Sequence, residues 1–233
     1  MTDASQQDGL SIRSTSEIFC SNISSGLHAA AQPLTVLRVS LEKSRIDGMS
    51  LSEIQETATS SAFEVERVCM IFNYMQKLVV TDSKQPNLSS VLIRPLIAEV
   101  TEGVNLLFEN DGMFLKSAVP DASQTALIDK ARTLQALSLV LLITHGVSNS
   151  GDIVDLIISP SGSRTVRLVV RNLNSTCDAI SAEAKLSMAL AEANIRSQGA
   201  SFSWSLHPFS VQIDLQDQPV ATKHHDGVVC AAD

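Results

Sequence analysis

No apolar run in the 233-residue sequence is long enough to cross a membrane: the longest, Leu139 to Ile143, spans little more than one helical turn, against the roughly twenty residues a span requires. Cysteine is scarce. Cys20, Cys69, Cys177 and Cys230 lie far apart, with no C-x-x-C pair and no histidine at ligand spacing, which excludes a disulfide framework and a zinc site and leaves four free thiols. Basic residues are too few and too scattered for a nucleic-acid surface: 17 Lys and Arg stand against 25 Asp and Glu, a net charge of -8, whereas binding phosphates requires a basic face that releases counterions. The opening stretch, Met1 to Ser16, has neither a basic n-region nor an apolar h-region, so the expected location is cytoplasmic, without membrane insertion. G-x-S-x-G, P-loop and dinucleotide fingerprints are also missing, and hydrolase or dehydrogenase chemistry has no support.

What is present is a chain able to bury a core. Apolar residues make up 44% of it and mean hydropathy is +0.15, enough for one large domain or two small ones. Breaks fall at Asp47-Gly48, Thr81 to Asn87, Asp111-Gly112 and Ser159 to Ser163, where Gly, Pro, Ser and Asp gather. Before the second break the pattern is helical. Leu27, Ala30, Leu34, Leu37 and Leu41 keep a 3-4 spacing, and Leu51, Ile54, Ala58, Ser61, Val65, Val68, Phe72, Met75 and Val79 extend it for about four heptads. The short connection around Ile46 to Ser50 predicts an antiparallel hairpin. Two such helices leave apolar surface open, and a second copy of the chain is the simplest cover, so a homodimeric four-helix bundle is expected.

After Asn87 helices and strands alternate. Strands are expected near Val91 to Ile93, Met113 to Val119, Asp152 to Ser159, Arg164 to Arg171, Phe202 to Leu206 and Val211 to Leu215. Helices are expected near Pro95 to Glu109, Asp129 to Val147 and Ser181 to Gln198, the last stopped by Gly199. The fold class is therefore α+β, a helical hairpin followed by a mixed α/β sandwich.

His28 follows the seam residue Leu27, a rotation of about 100° away from the stripe, and so should face solvent. Pro33 comes five residues later. It either bends one continuous helix, by removing the hydrogen bond to the carbonyl of Ala29, or opens a second helix after Ala31 or Gln32. Gln32, one turn after His28, is placed to contact a group on that histidine or a water, and is equally an ordinary exposed polar residue. Thr35 reads as a packing or helix-backbone hydroxyl.

The segment His28 to Thr35, with Pro33 and Leu34, together with the hairpin and the order of later elements, resembles the dimeric histidine kinases of two-component signalling. In that family H-[DE]-x-[RK]-x-P-L-T lies on the first helix of a dimerising hairpin, followed by a Bergerat-type ATP-binding domain. The likeness runs from about Ser16 to Leu215 and includes Asp129, Arg132, Leu134 and Gln135 at the start of the third long helix. It implies a dimerisation and histidine-phosphotransfer hairpin over 16–82 and an ATPase-like domain over 87–216; the polar segments outside it are expected to be a disordered N-terminus over 1–15 and a flexible tail over 217–233.

The departures from the family pattern carry chemistry. Ala29 and Ala31 stand where the family has an acidic and a basic residue, so no carboxylate is present to hold the imidazole and take its proton during attack on ATP. The Mg²⁺-binding asparagine box becomes Leu141 to Val147, with His145 in place of the asparagine, and imidazole is a poor match for this hard cation. The adenine-recognition box becomes Arg171-Asn172-Leu173-Asn174, a cation where the family has the carboxylate acceptor. The glycine-rich lid box becomes Leu186-Ser187-Met188-Ala189, continuous with a helix.

The expectation is thus a degenerate ATPase-like domain with no cofactor and no metal of its own. The resemblance then points to a histidine phosphotransfer protein. His28 is the expected phosphoacceptor and Gln32 its neighbour. A response-regulator receiver domain is the partner, bringing its own Mg²⁺ and lysine. The alternatives are a divergent ATP-dependent kinase and a non-catalytic pseudokinase scaffold that binds a regulator. Elsewhere, His224, His225 and Asp226 are adjacent residues in the tail and do not preorganise a metal site, His207 marks a turn before Pro208, and Asp152 and Asp155 cannot face one another along a strand.

Overall fold

The computed structural model describes residues 15–45, 49–118, 124–161, 164–175 and 177–216. The expected N-terminal segment, apart from Thr15, and the expected tail with His224, His225, Asp226 and Cys230 lie outside the described residues. Two compact units emerge: the chain up to Lys84 together with Ala179–Ala193, and Gln85–Asp178 together with Asn194 onward.

In the first unit α1 (Thr15–Lys43) and α2 (Leu51–Ser83) pack on each other as a hairpin. Helix α1 runs unbroken through Pro33, so the proline lies inside one helix and does not open another. Helix α2 starts at a capping box in which the Ser50 hydroxyl accepts from the Glu53 N–H at 3.3 Å and the Ser50 N–H donates to Glu53 Oε2 at 2.8 Å. Two of the four orphan donors of the helix start are satisfied this way, and the hydrogen bonds from Ser50 hold the Glu53 carboxyl below its usual range.

The apolar seams split lengthwise. On α2, Ile71 and Leu78 are buried, and Ser61, Val68 and Met75 are half-buried. Leu51, Ile54, Ala58, Val65, Phe72 and Val79, from the same seam, are exposed, Leu51 to 73%. On α1, Ala30 is buried and Leu37 half-buried, whereas Leu27, Leu34 and Leu41 are exposed. The hairpin covers one edge of each stripe and leaves the other in solvent. The close approach uses small residues: Gly26, Ala29, Ala30 and Pro33 are buried, and a Cβ on Gly26 would meet Met75 Cγ at 2.7 Å.

The second unit is a helix-backed sheet. It contains β1 (Ser89–Leu92), α3 (Ile93–Asn110), β2 (Phe114–Ala118), β3 (Thr125–Ile128), α4 (Lys130–Gly146), β4 (Ile153–Pro160), β5 (Thr165–Asn172), β6 (Ser201–Leu206) and β7 (Phe209–Gln216). Helix α5 (Ala182–Arg196) enters it with its last residues, and Gly199, at φ 78°, stops the chain just beyond the helix. Five strands form one sheet in the order β2-β4-β5-β7-β6, parallel only between β2 and β4, and β1 pairs with β3 as a separate antiparallel ribbon. Strand β3 has no counterpart among the expected elements. It is four residues long, and β1 pairs with it through Ser89↔Ile128 and Leu92↔Thr125.

Alternation fixes the faces of the sheet. Val154, Leu156, Ile158, Val166, Leu168, Val170, Val211, Ile213 and Leu215 are all buried, while their strand neighbours are half-buried or exposed on the open face. Two glycine turns start the parallel pair. Gly112 (φ 70°) and Gly151 (φ 89°) both occupy the left-handed region, and the Gly151 N–H donates to the Gly112 carbonyl at 2.8 Å.

Beside these turns a buried polar network joins β4 to β5. Asp152 Oδ2 accepts from the Asn149 N–H at 2.9 Å and from the Asn172 amide at 2.8 Å. The same amide reaches Ser148 Oγ at 2.7 Å, and Asn172 Oδ1 accepts from the Asn174 N–H at 2.9 Å. The backbone N–H of Asn149 and the amide of Asn172 hold the Asp152 carboxyl below its ordinary 3.8, against the opposing effect of burial.

Two stability measurements follow from these contacts. Ser50→Ala removes the cap and should lower unfolding free energy by about 1 kcal/mol in a denaturant titration. Asp152→Ala strands the Asn149 and Asn172 donors and should cost about 1–3 kcal/mol at neutral pH. Because the folded carboxyl is depressed, its contribution is complete above the ordinary value and disappears as pH falls through the folded one, so the wild-type and variant melting curves should converge on acidification below about pH 4.

Candidate functional site

His28 stands exposed on α1, and Gln32, one turn further, is exposed beside it. Alanines 29 to 31 favour the helix here, and Pro33 interrupts its hydrogen bonding without ending it. A proline has no N–H to give the carbonyl of Ala29, so the turn that bears His28 lacks one bond of the regular ladder. The Thr35 hydroxyl donates to the Ala31 carbonyl at 2.8 Å, the backbone role expected of it. Ala29 is 2% exposed and Ala31 is exposed, and neither can supply a proton acceptor. The imidazole therefore stands at the surface with a buried, small-residue back behind it.

The same unit holds a charge cluster that the heptad pattern passes over. Glu64 occupies a core-facing heptad position and is 8% exposed. Arg67 donates through Nη1 to Glu64 Oε1 at 3.2 Å and Oε2 at 2.9 Å, and through Nη2 to Glu183 on α5. Burial pushes the Glu183 carboxyl up, but its own backbone N–H, Arg67 and Ser181 outweigh that and hold it low; Arg67 is raised, chiefly by its bond to Glu183. The 3-4 stripe through Ser61, Val65 and Val68 leaves Glu64 to one side, so the apolar pattern carries no signal for this cluster.

In the second unit the residues that match the family pattern hold the scaffold. Asp129 caps α4 by accepting from the Arg132 N–H at 3.1 Å and also accepts from the Asn87 N–H at 2.9 Å. Its own N–H donates to Gln198 Oε1 at 2.6 Å, Arg132 Nη1 donates to Ser197 Oγ at 2.7 Å, and the buried Asn194 amide donates to Gln135 Oε1 at 3.1 Å. Asp129, Arg132 and Gln135 thus tie the start of α4 to the end of α5.

The residues that depart from the pattern are engaged with the protein itself. Leu141 is fully buried, and the Thr144 hydroxyl donates to the Val140 carbonyl at 2.7 Å. His145 lies edge-on to Phe108, with ring centroids 5.1 Å apart, and its Nε2 is 2.9 Å from Asp111 Oδ2, with no aligned hydrogen bond between them. Its ring is directed at the end of α3. Arg171 pairs across the open face with Asp155 at 3.3 Å, Asn172 is fully buried in the Asp152 network, and Leu173 is 57% exposed. Asp152 and Asp155 are accordingly committed to different partners. Leu186 to Ala189 lie within α5, with Leu186 and Met188 buried. Among the described residues no three His, Cys, Asp or Glu side chains converge on a metal position, and no helix is long and apolar enough to cross a membrane.

No protein-family model matches the sequence, and no curated protein is similar to it. Solved structures are. The Acinetobacter baumannii histidine kinase AdeS superposes over 82% of this chain and 98% of its own, with TM-score 0.65 and 13% identity. Full-length ShkA in complex with AMPPNP covers 89% of this chain, which in turn spans 47% of ShkA, with TM-score 0.59 and 13% identity. A histidine kinase from Burkholderia phymatum STM815 covers 83% of this chain and 98% of its own, with TM-score 0.52 and 16% identity. At such identities the likeness is one of architecture, and the chain has the histidine-kinase fold, a helical hairpin followed by an α/β sheet.

Proposed function

We propose that this protein is a histidine phosphotransfer protein of a two-component phosphorelay, with His28 as phosphoacceptor. The observation that carries this is the exposed imidazole on the first helix of a hairpin in a chain with the histidine-kinase fold. In the reaction the unprotonated ring nitrogen attacks the phosphorus of an aspartyl phosphate on a receiver domain. A P–N bond forms, the P–O bond to the aspartate breaks with its electron pair leaving on the carboxylate, and the ring proton passes to solvent. A second receiver aspartate then takes the phosphoryl by the reverse exchange. Gln32 is the neighbouring group able to contact the phosphoryl or a water.

Transfer between receivers is favoured over attack on ATP by the residues around each position. Ala29 and Ala31 give the imidazole no general base, whereas a receiver brings its own Mg²⁺ and lysine to stabilise the transferring group. The 87–216 region is read as an ATPase-like domain that no longer takes nucleotide, because Arg171, Asn172 and His145 are directed at protein partners. The exposed edges of both seams, Leu27, Leu34 and Leu41 on α1 and Leu51, Ala58, Val65, Phe72 and Val79 on α2, support a homodimeric four-helix bundle.

Incubation with a phosphorylated receiver domain should place acid-labile label on the wild-type chain and none on His28→Ala. Equal labelling of the two, or none across a panel of receivers, would remove the proposal. Calorimetry with Mg-ATP should give no saturable binding; a saturable isotherm would favour the divergent kinase. Sedimentation equilibrium should give twice the 25.0 kDa chain mass, and Val65→Glu with Phe72→Glu should shift it to a monomer.

A further inference from the structure

The turns that open α5 belong to the hairpin unit, and nothing in the apolar pattern of α1 and α2 requires them there. Two contacts account for it. Arg67 lies between Glu64 on its own helix and Glu183 in the first turn of α5, and the three side chains are 25%, 11% and 15% exposed. A second contact is apolar: Leu186, one turn after Glu183, is 1% exposed, and a Cβ on Gly26 would meet its Cδ1 at 3.5 Å, beside Met75. The start of α5 is also capped locally, where Ser181 Oγ accepts from the Ala184 N–H at 3.1 Å.

The apolar contact falls on the back of the histidine turn. Gly26 is two residues before His28, about 200° around the helix, so α2 and α5 approach the side of α1 opposite the imidazole. That back is built of Gly26, Ala29, Ala30 and Pro33, too small to hook a neighbour, and Pro33 has removed a hydrogen bond from the same turn. Its position is therefore set by what presses on it from behind. A glutamate at core position 64 would also be unfavourable in a simple hairpin, since a buried carboxylate needs a partner. Arg67 neutralises it and has a second arm left for α5.

We propose that Arg67 is a latch: by bridging Glu64 to Glu183 it holds the first turns of α5 as a third helix against the back of the His28 segment, and so positions His28 for phosphoryl transfer. This rests on the phosphotransfer reading above. Arg67 touches neither the histidine nor a phosphoryl donor and acts only through the helix behind them.

The test uses the full chain and a phosphorylated receiver domain, with two readouts: the rate of label transfer to His28, and amide hydrogen exchange over 182–193. Arg67→Ala and Glu183→Gln should each speed exchange over 182–193 and slow transfer about tenfold or more, the scale expected when a reacting group shifts by a fraction of an ångström to one ångström. Arg67→Glu combined with Glu183→Arg again brings one guanidinium and two carboxylates together, and should restore both readouts toward wild type. Glu183→Gln keeps the size of the side chain and serves if Arg67→Ala fails to fold. Faster exchange over 182–193 with wild-type transfer rates would overturn the inference alone, as would a folded swap variant that recovers exchange but not transfer. No transfer to the wild-type chain would instead remove the phosphotransfer reading, and the latch with it.

Discussion

Helix α2 presents two 3-4 registers side by side, and the rest of the described chain covers only one of them. Residues 57, 61, 64, 68, 71, 75 and 78 turn inward, while 51, 58, 65, 72 and 79 remain in solvent. The division follows from heptad geometry: a stripe wide enough to meet one helix on each flank presents two edges, and a hairpin partner covers one. Helix α1 divides the same way at Ala30 and Leu37 against Leu27, Leu34 and Leu41. The small back of the histidine turn, the outward direction of the imidazole and the room for α5 all follow from which edge is turned inward. A register shift of one residue would move the imidazole by 100° and carry it toward the packed side.

The second unit keeps the scaffold of its fold while its boxes serve other contacts. Asp129, Arg132 and Gln135 retain the pattern and bind the end of α5. Asn172 and Arg171 depart from it, and each is absorbed by a neighbouring strand or turn. Both sets are thus held by contacts within the protein, the first at the helix ends and the second along the sheet.

Long-period features were legible in the sequence and short-range ones were not. The 3-4 spacing located α1 and α2, and the apolar alternation located β4, β5 and β7, because both signals repeat over many residues. Strand β3 escaped: four residues between an irregular stretch and a helix cap offer no period, and β1 alone defines it. His28 is exposed as expected, but not through its offset from Leu27, which is itself exposed; the inward face of this turn is Gly26, Ala29, Ala30 and Pro33. The continuity of α1 through Pro33 was not legible, because a proline within a helix and one at its first turn look alike until packing decides. Glu64 and Arg67 lie off the 3-4 stripe, and the link from Arg67 to Glu183, 116 residues further along, is a tertiary contact that no local window contains. The capping box Ser50-x-x-Glu53 is the exception among short-range features, because its two residue types and their spacing are themselves the signal.

The bond between Gly112 and Gly151 has a consequence for how this chain can change length. Each glycine precedes by two residues the first paired residue of its strand, Phe114 and Ile153, which are register partners. The clasp therefore indexes β2 against β4. A single residue added or lost between clasp and strand would turn every β2 side chain to the opposite face, and a side chain on Gly112 would strike Ser150 Oγ at 2.5 Å. The length of chain at this corner is therefore tied to the pairing of β2 with β4.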